Sequence, residues 1–228
     1  MLLTMHNAKQ ALDMGFTAAI SAASAKPRLD IIIRNEIDKG KISGSRLLAR
    51  ADGDRRPRRR QPTRGQAPFA IAARYNTTYE AKDWGIATDV AEMIGNKREL
   101  DEGIKVMRKI RAAGIKIMPF GDYGFAWLPQ GTEARDLEHF TNLFGFEPWE
   151  TLRGATAYGG EAWVARSGEK MGRVAAGYLA DILLVDGNPL HDLSLLQDRN
   201  ALLAIMKDGQ FHKPFQGRVT ATQRIAAE

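Results

Sequence analysis

Asp122 is the side chain best placed for chemistry in this sequence. It interrupts the stretch Ile115 to Trp127, IKIMPFGDYGFAW, an apolar run that halts at Gly121-Asp122 and resumes with aromatics. A run of this kind bounded by glycine predicts a buried strand, and a carboxylate just past its end sits where a parallel sheet opens its loops. A carboxylate there can take up or release a proton. The alternative is a loop aspartate that caps its own turn. Tyr123, Phe125 and Trp127 are candidates to line an apolar pocket beside Asp122, or else to join the core.

The elements that must position Asp122 are legible around it. Glu99 to Ala113 carries Leu100, Ile104, Met107 and Ile110 at helical spacing, with Lys and Arg on the other face, and Gly114 ends it. Helix, glycine, strand and an acid-bearing loop form the repeating unit of α/β sheets and barrels, where reactive groups gather at the C-terminal ends of strands. Upstream, Asn7 to Met14 and Leu29 to Lys39 read as helices, and Gly15 to Ile20 and Ile42 to Ala49 as strands. Thr88 to Ile94 is helical in pattern. Downstream, Thr132 is expected to cap a helix through Leu137, Phe140, Leu143 and Phe144. Pro148 starts another that runs toward Gly159-Gly160. From Gly172 the period changes to short β-rich runs, at Val174 and at Ile182 to Val185. A hairpin follows, with Asp208-Gly209 between Ala201 to Lys207 and Gln210 to His212. An α/β body followed by a small β-layer is the expected fold.

Composition sets the outer limits. The 228 residues are 44% hydrophobic and 26% charged, which is globular in type and large enough for a sizeable core. The absence of cysteine excludes disulfides and thiolate metal sites. No stretch approaches the roughly 20 apolar residues of a membrane span, so a soluble, cytoplasmic protein is expected. The net charge of +6 is local: Arg50 to Arg64 holds seven Arg and two Asp, leaving +1 for the rest of the chain. With Pro57 and Pro62 inside it and no interleaved aromatic for base stacking, this run reads as a solvated linker rather than a nucleic-acid site.

Three pieces together, GDYGFAWLPQGTEARDLEHFTNLFGFEPWETLRGAT, EKMGRVAAGYLADILLVDGNPL and LLAIMKDGQ, resemble the C-terminal half of the amidohydrolase superfamily. In that resemblance Asp122 matches the acid after the last barrel strand. Pro148 to Thr156 matches the helix ending in Ala-Thr, and Gly172 to Leu190 the return into a β-sandwich. GFTAAI and GKISGSRLLA resemble an earlier barrel stretch. What this implies is a metal-dependent hydrolase of carbon-nitrogen bonds in amides or cyclic amides. A divalent ion, commonly zinc, would activate water, with Asp122 as metal ligand and proton acceptor and a small amide-type molecule as substrate. The fold implied is an incomplete (β/α)8 TIM-type barrel with a small C-terminal β-sandwich remnant.

The same resemblance sets out what is missing. The family's first strand carries His-x-His, yet the histidines here are His6, His139, His191 and His212, with no such pair and none between the early barrel segment and the strand of Ile115. A zinc site takes three or four protein ligands, and Asp122 is the one that can be named. The resulting division is residues 1–49 as an early barrel segment, 50–66 as an arginine-rich linker or junction, 67–165 as a late barrel segment, 166–215 as the sandwich remnant and 216–228 as a tail. The arginine run stands where the barrel centre belongs, which fits a deletion or a shifted reading frame. A catalytically silent fragment is thus the alternative to an enzyme. Open strand edges predict self-association.

Overall fold

Residues 2–21, 26–49 and 66–217 are described by the structure, a computed structural model. Residues 50–65 of the predicted arginine-rich linker and the end of the predicted tail fall outside them, and Gln66, expected in that linker, belongs to a strand. The chain opens with helix α1 (Leu2–Asp13), strand β1 (Ala18–Ile20), helix α2 (Leu29–Asp38) and strand β2 (Arg46–Leu48). β1 and β2 pair in parallel, Ala18 opposite Arg46, so this segment is one βαβ unit. Beyond the linker come β3 (Gln66–Phe69), α3 (Ile71–Tyr79), α4 (Thr88–Met93), α5 (Asn96–Ala112) and β4 (Lys116–Pro119). β3 and β4 form a second parallel pair, with Gln66 opposite Lys116.

Helices α6 (Arg135–Phe144), α7 (Pro148–Arg153) and α8 (Gly159–Ser167) follow. The chain then enters an antiparallel sheet of β5 (Ile182–Val185), β6 (Leu202–Lys207) and β7 (Gln210–Lys213), in that order. The fold is mixed α/β. Among the described residues the two parallel pairs remain separate sheets and do not close into a barrel.

Helix α6 joins the two halves of the core. Leu137 packs with Leu12 of α1, Leu193, Leu196, and Leu202 and Ile205 of β6. Phe140 and Phe144 pack instead with Ile71 of α3, Leu100 and Met107 of α5 and Ile117 of β4. Phe140 and Phe144 meet edge to face, with ring centroids 5.0 Å apart. Leu137 and Phe140, one turn apart on the same face of α6, therefore serve the two clusters at successive levels along the helix.

Several predicted elements take a different course. Thr132 does not cap α6: its hydroxyl donates to the Pro129 carbonyl at 2.8 Å, and the helix begins three residues later. α7 starts at Pro148 as predicted, with a reciprocal cap between Glu147 and Glu150, but does not stop at the glycine pair. A π-helical turn over Gly154–Tyr158 carries it into α8. Gly160 is there for close approach. A Cβ on Gly160 would lie 2.0 Å from the Met171 carbonyl oxygen, so helix and returning backbone touch only because that side chain is missing. Val174 is in no strand and is 83% exposed. The hairpin at Asp208-Gly209 is present, with both residues at positive φ.

Candidate active site

Asp122 stands three residues past the end of β4, at the C-terminal end of the parallel pair, and its side chain is exposed. Its φ of 58° lies in the left-handed region, which Asp and Asn tolerate better than other side chains. That reversal sends Asp122 outward and folds Tyr123 back under Gly121. A Cβ on Gly121 would meet the Tyr123 ring at 2.0 Å and a carboxylate oxygen of Asp136 at 2.8 Å. Glycine is therefore required at the step just before the acid.

The loop carrying Asp122 is pinned by polar groups of α3 and α6. The Tyr123 hydroxyl donates to Asp136 Oδ1 at 3.1 Å. Gln130 donates to the Tyr123 carbonyl at 2.9 Å, and the Gly131 amide to Glu133 Oε2 at 2.8 Å. Asn76 donates to the Trp127 carbonyl at 3.1 Å, and Trp127 Nε1 to Thr77 Oγ1 at 2.9 Å. Phe125, 46% exposed, stacks on Trp127 with centroids 5.4 Å apart. Of the three aromatic pocket candidates, Tyr123 turns toward Asp136, while Phe125 and Trp127 cover the loop together. Replacing Trp127 with Phe should cost about 1 kcal/mol in urea denaturation by removing the bond to Thr77. It should also raise hydrogen exchange across residues 121–131. Equal exchange in both proteins would contradict this anchoring.

The acid beneath the loop is the unexpected one. Asp136 is 2% exposed, and burial pushes its carboxyl up to about 7. The Tyr123 hydroxyl and the Ala72 amide pull it down, while the nearby Glu133 charge pushes it up. Burial also raises Glu133. Tyr123 is pushed up by burial and by the Asp136 charge, so its phenol keeps its proton. His139, one turn along α6, is buried against Tyr75 with ring centroids 4.5 Å apart. Burial, and then the Arg135 charge, hold it down to about 4. Arg135 is itself paired with Glu80 at 2.6 Å. In the sequence, Glu133 and Asp136 read as first-turn acids. The signal for burial was Asp136 lying one and four residues from the core positions Leu137 and Phe140.

The histidines do not gather around Asp122. His6 is exposed on α1, His191 is exposed after β5, and His212 lies in β7. His139 is enclosed between α3 and α6, and its Nε2 has no hydrogen-bond partner. Among the described residues no group of three or more His, Cys, Asp or Glu side chains could hold a metal ion. The residues present do not fit the ion that the family resemblance implies. An open cavity of about 500 Å³ is lined by Arg108, Arg111, Phe144, Gly145 and Glu150. It opens at the C-terminal ends of α5 and α6, the opposite end of the layer from Asp122, since α5 runs back to the start of β4. Among the described residues no helix is long and apolar enough to cross a membrane.

No family model matches the chain. Ochratoxinase from Aspergillus niger is 27% identical over 113 residues, which is 50% of this chain and 22% of that protein. The crystal structure of that ochratoxinase superposes with a TM-score of 0.53 at 22% identity, over 67% of this chain and 33% of the other. A putative prolidase from Bifidobacterium longum superposes with a TM-score of 0.72 at 18% identity, covering 97% of this chain and 79% of its own. A protein described as an amidohydrolase superposes with a TM-score of 0.52 at 20% identity, over 67% and 35%. This chain thus spans about a fifth of the curated relative's length. In fold, over most of its described length, the chain is similar to amidohydrolase-type proteins, the group its sequence also resembles.

Proposed function

We propose that the chain descends from hydrolases that open carbon-nitrogen bonds of amides or cyclic amides, that Asp122 is the carboxylate of that site, and that this polypeptide on its own is catalytically silent there. The observation that carries the reading is the position of Asp122, an exposed acid at the C-terminal end of a parallel strand in a fold shared with a prolidase and an ochratoxinase. When bound, a divalent metal such as zinc supplies an acidified water. Among the described residues no second and third ligand stands beside Asp122, and three or four are needed. The exposed apolar side chains of edge strand β5, Ile182 and Leu184, fit a chain lacking the parts that would cover them.

Metal analysis of the purified full chain after dialysis against zinc, with an amide and Xaa-Pro dipeptide panel on the same sample, tests this reading. Substoichiometric zinc and no hydrolysis are expected, with Asp122→Asn indistinguishable from the parent. Retention of about one zinc per chain, lost on Asp122→Asn and accompanied by amide hydrolysis, would replace silence with a working site.

A further inference from the structure

Far from Asp122 in the chain, three segments bring a serine, a histidine and an aspartate into line. Asp13 ends α1, Ser43 lies between α2 and β2, and His212 is in β7. His212 Nε2 is 2.7 Å from Asp13 Oδ1, and His212 Nδ1 is 3.5 Å from Ser43 Oγ. Asp13 also holds Lys9 at 2.7 Å and pairs with Arg199. Burial alone would push its carboxyl up, but hydrogen bonds from Lys9 and His212 and the Arg199 charge leave it below the usual range. An ionised carboxylate can only accept, so Asp13 Oδ1 pairs with an N–H at His212 Nε2. The Nδ1 lone pair then faces the Ser43 hydroxyl. The histidine and aspartate side chains are 17% and 12% exposed, whereas Ser43 is open to solvent. An oriented base with an accessible hydroxyl is the arrangement that activates a serine.

We infer that Ser43, His212 and Asp13 form an acyl-transfer site for small carboxylic esters, separate from Asp122. Ser43 Oγ attacks the ester carbonyl as its proton passes to His212 Nδ1, and His212 returns that proton to the departing alkoxide. Water then attacks the acyl-serine, giving its proton to His212, which returns it to Ser43 Oγ as the carboxylic acid leaves. Asp13 is a positioning residue: it fixes the tautomer and stabilises the imidazolium.

The test is to incubate the full chain with a fluorophosphonate ester and locate the adduct by peptide mass spectrometry. 4-Nitrophenyl acetate turnover is followed in parallel. An adduct on Ser43 is expected, with ester turnover lost in Ser43→Ala, an exposed substitution that should leave the circular dichroism unchanged. His212→Gln can keep hydrogen bonds to both neighbours but cannot accept a proton. It should therefore retain the thermal midpoint while labelling falls about a hundredfold or more. Absence of an adduct on Ser43, or equal labelling of His212→Gln, would overturn the proposal and reduce the three residues to a clamp between α1 and β7.

Discussion

Replacing Asp136 with Asn should stabilise the protein progressively, relative to the parent, as pH rises from about 4 to about 7. The parent holds a proton on Asp136 up to about pH 7, whereas its unfolded chain releases that proton near 3.8. Across this window the native state binds more protons than the unfolded state, so parental stability falls with rising pH and the loss is complete above the folded value. A rise from 3.8 to about 7 is on the order of 4 kcal/mol at most. Asparagine cannot ionise, and its carbonyl can still accept from Tyr123 or the Ala72 amide. Its extra N–H, next to the crowded Gly121, adds a cost that does not vary with pH.

His139 pulls in the other direction in both proteins. Its folded value of about 4 lies below the ordinary 6.5, so the unfolded chain binds the proton first and stability is lost as pH falls from about 6.5 to about 4. In the parent the two slopes oppose one another over that range, and the curve should be nearly level until the Asp136 loss continues alone to about pH 7. In Asp136→Asn the Asp136 slope is gone, while those of His139 and of Glu133, which burial also raises, remain. Urea denaturation of both proteins at half-unit pH steps separates the contributions. A stability difference that does not change with pH would show that Asp136 is not the buried, protonated acid described here.

Removing the guanidinium of Arg46 should cost about 3 kcal/mol or more. Arg46 of β2 makes a two-pronged pair with Asp181, with Nη2 2.8 Å from Oδ1, and also contacts Asp208 at the hairpin turn. The Arg46 and Asp181 side chains are only 9% and 6% exposed. Burial disfavours the charged guanidinium, but its bonds to Asp181 and Asp208 more than restore it. Arg46→Ala strands the Asp181 carboxylate with the Asp208 amide, 3.0 Å away, as a remaining donor. An unpaired buried charge costs more than the pair was ever worth. The double variant Arg46→Met with Asp181→Leu should therefore recover much of the loss, despite carrying neither charge. A loss under about 1 kcal/mol for Arg46→Ala would place the pair in the surface class instead.

This ion pair also shows how the early segment is held. β2 is tied to the β5–β6–β7 sheet by Arg46, and Lys207 of β6 donates to the Gly44 carbonyl at 2.8 Å. Asp13 of α1 reaches Arg199 and His212 in the same region. Helix α1 and strand β2 thus dock on the C-terminal sheet through polar contacts as well as through Leu12.

The sequence by itself determined the elements whose signals are local. The periodicity of Leu100, Ile104 and Met107 placed α5, Pro148 started α7, and Asp208-Gly209 made the hairpin. It also determined that Asp122 follows a strand, and that the histidines are too few and wrongly spaced for the metal site of the family it resembles. Tertiary structure alone decided which polar side chains are buried. Asp136 reads as a favourable first-turn acid, yet it is enclosed because Gly121 lets the Tyr123 ring and the returning loop close over it. It also decided that Asp13, Ser43 and His212, far apart in the chain, meet at one place. Helix period and turn chemistry depend on neighbours a few residues away, whereas desolvation and side-chain convergence depend on what distant segments bring to the same point.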